Sequence, residues 1–494
     1  MPNNITKYFL KCRDVYDGAM PKSMDNKGLS VDNMSSTVSI NADLNTASTL
    51  KLAENDVIQR NKLNEALGKS DTELYIPSEY RDKSLGTPDS GALLHLLKSS
   101  LGSGILAMPM AFKNGGLVFG IIGSILTGLL CTHCVHLLVY CSQVLSVRTK
   151  KPSLGFAETA EVAFQTGPPK YKNWASFARE FVHASLFATY YFGNTVYVVF
   201  MAQSFQQVIE NIYELDLNIR LYILALAVPL VPLGIIRTLK VLVPFSAIAT
   251  AFIMFGLSIT LYYTFVDLPS IETREYIASP AKWPLFFSTV LFAMEGIGTV
   301  LPIENSMLNP HHFLGCPGVL NIAMTVVVAL YASVGFCGYL KYGEDTLGSI
   351  TLNLGTTKLA ELVKVLVALS ILFTYGLQFT VPSEIVWKKL SSKVSEKHQE
   401  KGYYIMRGLM IMGTIIIAII IPELGPFISL VGSVCFSILG LFCPVVVETI
   451  TRYEDGFGYM RWRLWKNILI TILAAFALVS GSYASIIDII AAYQ

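Results

Sequence analysis

"HLLKSSLGSGILAMP", His95–Pro109, sits in a run otherwise apolar enough to enter a bilayer, yet it carries a histidine, a lysine, three serines, two glycines and a proline. Lipid cannot hydrogen-bond a backbone, so a spanning helix is normally continuous, and unwinding is tolerated only where it is buried in protein or lines a cavity. Each interior glycine costs a helix about 1 kcal/mol relative to alanine. Gly102-Ser103-Gly104, followed by Pro109, therefore predicts a helix broken near the middle of the membrane.

The same fault recurs in "FFSTVLFAMEGIGTVLPIENSM", Phe286–Met307, where Glu295 precedes Gly296-Ile297-Gly298 and Pro302 follows. Between and beyond these stretches the chain is rich in apolar runs. Of 494 residues, 53% are hydrophobic and 15% charged, whereas soluble domains carry about 25% charged residues. Apolar runs of about 17–25 residues or longer give eleven predicted spans: 91–113, 117–146, 178–209, 219–236, 243–266, 283–307, 318–340, 358–387, 404–422, 424–447 and 465–491. The fold class is thus an all-α polytopic membrane protein, with a transmembrane domain over 86–494. Residues 1–85 read as a mostly disordered tail, exemplified by the Ser/Thr/Asn-rich "MSSTVSINADLNTAST". That tail shows no signal-peptide pattern.

Lysine and arginine orient the spans. Arg148, Lys150 and Lys151 follow helix 2, Arg237 and Lys240 follow helix 4, Lys388, Lys389, Lys393 and Lys397 follow helix 8, and Arg452, Arg461 and Arg463 follow helix 10. The alternate loops are richer in acid, as with Glu210, Glu214 and Asp216 or Glu344 and Asp345. This bias places the tail in the cytoplasm, where the sequons Asn4-Ile5-Thr6 and Asn33-Met34-Ser35 go unused.

The two broken helices lie five spans apart. An odd number of spans per repeat inverts the second copy, so helices 1–5 and 6–10 form an inverted 5+5 pair and helix 11 is an addition. Matched broken helices point to the substrate site of a secondary transporter, with half-helix N-termini for a carboxylate and freed carbonyls for an ammonium. A zwitterionic amino acid fits both. The alternative for the glycines is close helix packing alone.

Ionisable groups inside the membrane are functional candidates. His95 lies four residues before Ser99 and seven before Gly102, spacings that place all three on one helical face, and histidine titrates near neutral pH. His95 and Glu295 are the proton-coupling candidates. Ser99, Ser100, Gly102, Ser103, Gly104, Glu295, Gly296 and Gly298 at the breaks, with Tyr190 and Asn194 of helix 3 and Thr374 of helix 8, are the substrate-binding candidates. Lys98 is expected to snorkel to the interface. Glu304 is a gate or a structural carboxylate, and Glu180, Glu384 and Glu448 are expected to pair with neighbouring bases. Cys131 and Cys134 form a C-x-x-C inside an apolar helix, which reads as packing rather than a metal site. Walker, nucleophile-elbow and H-E-x-x-H patterns are absent, so neither ATP-driven pumping nor hydrolysis is supported, and no cofactor, metal or nucleic acid is implied.

"GALLHLLKSSLGSGILAMPMAFKNGGLVFG", "FAMEGIGTVLPIENSM", "LFTYGLQFTVPSEI" and "IPELGPFISLVGSVCFSILGLFCPVVVE" resemble the first, sixth, eighth and tenth helices of the proton-coupled amino acid transporters, the animal branch of the amino acid/auxin permeases within the amino acid–polyamine–organocation superfamily. The resemblance covers about residues 85–494. It implies an eleven-helix, LeuT-like fold and electrogenic symport of protons with small neutral amino acids such as glycine, alanine and proline. It also implies residence at the cell surface or the lysosome, where some members report amino acids to growth signalling. The family's helix 1 histidine maps onto His95, and its two breaks onto Gly102–Gly104 and Glu295–Gly298. Two rival functions are a sensor that signals through a tail partner with little net flux, and a sodium-coupled transporter with Na⁺ held by helix 1 together with Ser370 and Thr374.

Overall fold

The computed structural model describes residues 75–81, 86–100, 102–237, 239–294, 296–315 and 317–493. The tail through residue 74, both sequons, Cys12, Cys316 and Glu295 lie outside the described residues. Pro77–Gln494 forms one compact unit. Among the described residues there is no strand, and one isolated bridge joins Thr87 to Met307.

The bundle is built from helices α1 (Asp89–Ser100), α2 (Ser103–Gly115), α3 (Leu117–Thr149), α4 (Phe156–Thr166), α5 (Ala175–Tyr213), α6 (Ile219–Ala225), α7 (Ala227–Ile235) and α8 (Leu239–Phe265). It continues with α9 (Trp283–Ala293), α10 (Ile297–Ser306), α11 (Val319–Tyr342), α12 (Lys358–Gln378), α13 (Thr380–Leu390), α14 (Gln399–Ile420), α15 (Leu424–Val431), a π-helical segment (Gly432–Phe442), α16 (Cys443–Thr451) and α17 (Trp462–Ala491). Among the described residues eight helices are long and apolar enough to cross a membrane, and nine if the bent pair α1–α2 is one span. Two of the sequence-predicted spans fall short by themselves. Ile219–Ile235 is a short apolar stretch that divides at Leu226 into α6 and α7. The 39-residue α5 is long enough but more polar, with Arg179, Glu180, His183 and Asn194 along it.

The outer surface fits a lipid environment. Along α17, Trp465, Leu469, Ile472, Phe476, Val479 and Tyr483 are all exposed. They recur every three or four residues, so they form one apolar stripe on a single helix face. A stripe of that length is stable in hydrocarbon and unfavourable in water.

Helices 8 and 10 are single spans, as the sequence predicts, and each carries a local interruption. Helix 8 divides at Phe379. Pro382 has no N–H for the carbonyl of Gln378, and its ring crowds that turn, so α12 closes at Gln378 and α13 restarts at Thr380. Helix 10 passes through eleven residues of π-helix ahead of Pro444, a widening that usually marks a functional bend. The loop after helix 2 also holds a short amphipathic helix, α4, which buries Phe156, Ala157, Ala160 and Ala163. Its start is closed by Gly155 N–H donating to Glu158 Oε2 at 3.1 Å.

Candidate functional site

Helix 1 breaks after Ser100, and α1 and α2 meet at 50°. Helix 6 breaks after Ala293, and Gly296 begins α10 with φ +151°, a conformation that side-chain-bearing residues rarely adopt. The four half-helices pack crosswise, α2 on α9 and α1 on α10. At one end of this pair the backbone joins Thr87 to the close of α10, with Thr87 N–H donating to Ser306 O at 2.8 Å and Leu308 N–H to Thr87 O at 3.0 Å. At the other end Ala278 N–H donates to Gly115 O at 2.9 Å and Leu117 N–H to Glu275 O at 3.0 Å. Each broken helix is thereby fastened to the other at both extremities, and the interruptions face each other.

The contact at the crossing is close. A Cβ on Gly104 would lie 2.7 Å from the Cα and carbonyl oxygen of Ala293, so the N-terminus of α2 runs directly against the C-terminus of α9. A Cβ on Gly296 would lie 3.5 Å from Ser100 Oγ and 4.0 Å from Ser99 Oγ, which sets the C-terminus of α1 against the N-terminus of α10. Two positive helix ends and two negative ones therefore converge.

The polar groups there are partly committed. Ser99 Oγ donates to Leu96 O at 2.9 Å. The buried Tyr331 hydroxyl of α11 donates to Ser100 O, a carbonyl that α1 leaves free. Gly102 N–H turns back to Ser100 O at 2.8 Å. Thr299 closes the first turn of α10 through Gly296 O, by its N–H at 2.9 Å and its hydroxyl at 2.8 Å. Ser103 Oγ and Asn194 Oδ1, by contrast, are buried without a hydrogen-bond partner among the described residues. Buried polar atoms of this kind are expensive unless something completes them.

Tyr190 and Asn194 of α5 approach helix 6. The Tyr190 hydroxyl stands 2.6 Å from where a Gly298 Cβ would be, and Asn194 Nδ2 donates to Tyr190 O at 2.7 Å. Thr374 Oγ1 donates to Ser370 O within its own helix at 2.9 Å. Ser370 Oγ donates across to Ala249 O of α8 at 2.7 Å. Lys98 is exposed, and its Nζ donates to Ser246 Oγ of α8 at 3.0 Å. His95 is exposed on α1 one turn before Ser99. Gly102 lies past the end of α1, so the i, i+7 relation between His95 and Gly102 does not carry across the break.

Glu304, on α10, is fully buried. Gln143 Nε2 of α3 donates to its Oε1 at 2.9 Å, and Arg81 Nη2, from the segment before α1, lies 3.4 Å from its Oε2. Arg81 also donates to the Glu304 carbonyl at 3.2 Å and to Pro152 O at 2.8 Å. Glu448 pairs with Arg452 at 3.0 Å and Lys466 at 2.8 Å, and Glu180 with Lys389. Glu384 instead accepts from the Tyr403 hydroxyl at 2.9 Å. Cys131 and Cys134 are free, and the described residues contain no group of three or more metal-ligating side chains.

Crossed, interrupted helices inside an apolar bundle fit a helical membrane transporter. The chain belongs to the family of transmembrane amino acid transporter proteins, which matches residues 90–487. It is 43% identical over 433 residues to the proton-coupled amino acid transporter-like protein pathetic of Drosophila melanogaster, covering 86% of this chain and 92% of that one. It is 27% identical over 431 residues to vacuolar amino acid transporter 4 of Saccharomyces cerevisiae, covering 81% of this chain and 58% of that one. Among solved structures it is similar to MHP1, a nucleobase-cation-symport-1 family transporter closed on bromovinylhydantoin, with a TM-score of 0.47 and 14% identity over 86% of this chain and 95% of that one. It is also similar to MhsT in complex with L-phenylalanine, with a TM-score of 0.43 and 12% identity over 79% of this chain and 98% of that one.

Proposed function

We propose that this multi-pass amino acid transporter is an electrogenic symporter of protons and small neutral amino acids, with substrate held where the half-helices cross. The observation that carries the reading is the convergence of the α2 and α10 N-termini with the α1 and α9 C-termini, beside the unpartnered Ser103 hydroxyl. The N–H groups opening α2 and α10 would take the carboxylate, and the carbonyls closing α1 and α9 the ammonium. Asn194 and Thr374 stand as further lining residues on the opposing helices, and Ser99, Ser100, Gly102 and Gly104 complete the helix 1 side. In this reading the chain has eleven spans in an inverted 5+5 arrangement plus helix 11, the N-terminus is cytoplasmic, and the protein resides at the cell surface or in the lysosomal membrane.

Proton coupling is supported by the name of the Drosophila relative and by His95, with Glu295 the acidic candidate at the break. Sodium coupling is less well supported. The Lys98 ammonium sits on α8 within a turn of Ala249, whose carbonyl accepts from Ser370 Oγ. A fixed cation there opposes a second one.

One observation favours a sensing role alongside transport. Arg81 ties the segment leading into helix 1 to Glu304 of α10, so movement of that half-helix would be passed to the residues around Arg81. Uptake of radiolabelled alanine and glycine into proteoliposomes tests the main reading. Uptake should rise with an inward proton gradient, persist when choline replaces sodium, and lose its pH dependence in His95→Ala. Sodium dependence, or a His95→Ala protein with the wild-type pH profile, would contradict it. Removal of residues 1–74 should leave uptake intact, while a pure sensor would show binding without uptake.

A further inference from the structure

Arg407 is fully buried, about 12 Å along α14 from its start at Gln399 by the helical rise. Its Nη1 donates to the Tyr403 hydroxyl at 2.7 Å. Its Nε and Nη2 are buried with no hydrogen-bond partner among the described residues. Those two N–H groups lie on one edge of the guanidinium and point in parallel, the fork that matches two oxygens of a carboxylate or a phosphate. A buried guanidinium with that edge unfilled is strongly unfavourable unless an anion completes it.

The surroundings narrow the occupant. Phe379 and Tyr403 flank the guanidinium at 5.8 and 5.4 Å from ring centre. Arg237 sits over the Tyr403 ring at 4.7 Å. Glu384 is held at one remove, through the Tyr403 hydroxyl. Two guanidiniums against one carboxylate leave the cluster one positive charge in excess. Trp387 meets Tyr403 edge-on at 5.2 Å, and Lys388, Lys389, Lys393, Lys397 and Lys401 crowd the same end of the bundle. Tryptophan, tyrosine and lysine together mark a membrane interface. On the adjacent face of the same turns of α14 runs an apolar groove of about 480 Å³, from Leu390 and Gly402 down to Tyr191, Leu409 and Met410. Its outer wall, Ile405 and Leu409, is exposed to the membrane side.

We propose that this is a binding site for an acidic phospholipid of the cytoplasmic leaflet. The headgroup phosphate takes the Nε/Nη2 fork of Arg407 and an acyl chain takes the groove, with a local parting of the helices around the enclosed guanidinium. An unfilled guanidinium edge on the same helix turns as an apolar track suits an anionic headgroup and its tail at once. The proposal uses the cytoplasmic placement of this end but not the substrate site, so the two stand or fall separately.

The test uses the full chain in nanodiscs of phosphatidylcholine with or without phosphatidic acid, with native mass spectrometry and thermal unfolding as readouts. The wild-type protein should retain phosphatidic acid and unfold at higher temperature with it. Arg407→Lys keeps the charge but loses the fork, and should weaken retention by about tenfold. Arg407→Met should lose the preference while remaining folded, since an apolar isostere relieves the buried charge. Tyr403→Phe should still retain the lipid. Millimolar inorganic phosphate should not displace it. Displacement by phosphate, equal retention by wild type and Arg407→Lys, or no preference for phosphatidic acid over phosphatidylcholine would each overturn the proposal.

Discussion

Helices 1 and 6 on one side and helix 10 on the other are all interrupted within the membrane, but by different means. Helices 1 and 6 stop and restart, leaving Ser103 Oγ unpartnered and bringing four helix ends together. Helix 10 widens into a π segment and continues, and its Ser437 and Ser433 hydroxyls return to carbonyls of their own helix. A π turn bends a helix while keeping its backbone bonded. A break releases donors and acceptors, and in a bilayer they must find something else to bind. In the proposed reading, the breaks build a site because they free backbone groups toward a neighbour with the same fault, which the π segment does not do.

Substitutions at Gly104 and Gly296 of the breaks and at Gly440 of the π segment should separate these cases, whereas Gly432, the other π-segment glycine, packs against the Ser288 backbone and would clash as Gly104 does. The largest effect is expected for Gly104→Val, whose side chain would enter the Ala293 backbone. No side-chain rotation relieves a clash with main chain, so α2 and α9 must part, at about 1–3 kcal/mol of overpacking. Alanine uptake should fall to background while protein is still recovered from the membrane. Gly296→Ala should come next, because a φ of +151° strains an L side chain by about 1–3 kcal/mol. Uptake should drop about tenfold or more, with a lower unfolding temperature. Gly440→Ala in the π segment should be the mildest. A Cβ there meets nothing within 4 Å, and alanine favours helix by about 1 kcal/mol. Uptake should be unchanged and thermal stability equal or slightly higher. A Gly440→Ala protein as inactive as Gly104→Val would erase the distinction between the two regions.

The sequence carried the breaks because glycine pairs, a proline and polar residues are conspicuous in apolar runs. It could not rank the glycines. Gly102 and Gly104 look equivalent in "GSG", yet a Cβ on Gly102 meets open space and one on Gly104 meets backbone. What differs is the partner helix, which lies nearly two hundred residues away. Tyr331, Gln143 and Arg81 were illegible for the same reason, since each is a single residue in an element with no pattern of its own. The division of helix 8 was written in Pro382, but one proline in a long apolar run is also compatible with a continuous, gently kinked span. The short helix α4 escaped because eleven residues between two spans give little period to detect. Glu448 and Glu180 were readable as paired carboxylates because bases stand nearby in sequence or in the facing loop. Arg407 reads in the sequence as one more base of the loop after helix 8, but the structure buries it within α14, and its unfilled edge exists only in three dimensions.

The most direct test of the central claim is substrate protection at the break itself. Ser103→Cys, placed in a background whose eight native cysteines have been replaced, puts a thiol where the buried, unpartnered hydroxyl stands. In proteoliposomes its labelling by a small methanethiosulfonate should slow as alanine is added, with half-protection at the concentration that half-saturates uptake. Labelling at the same rate with and without alanine, in a protein that still transports it, would place the substrate elsewhere.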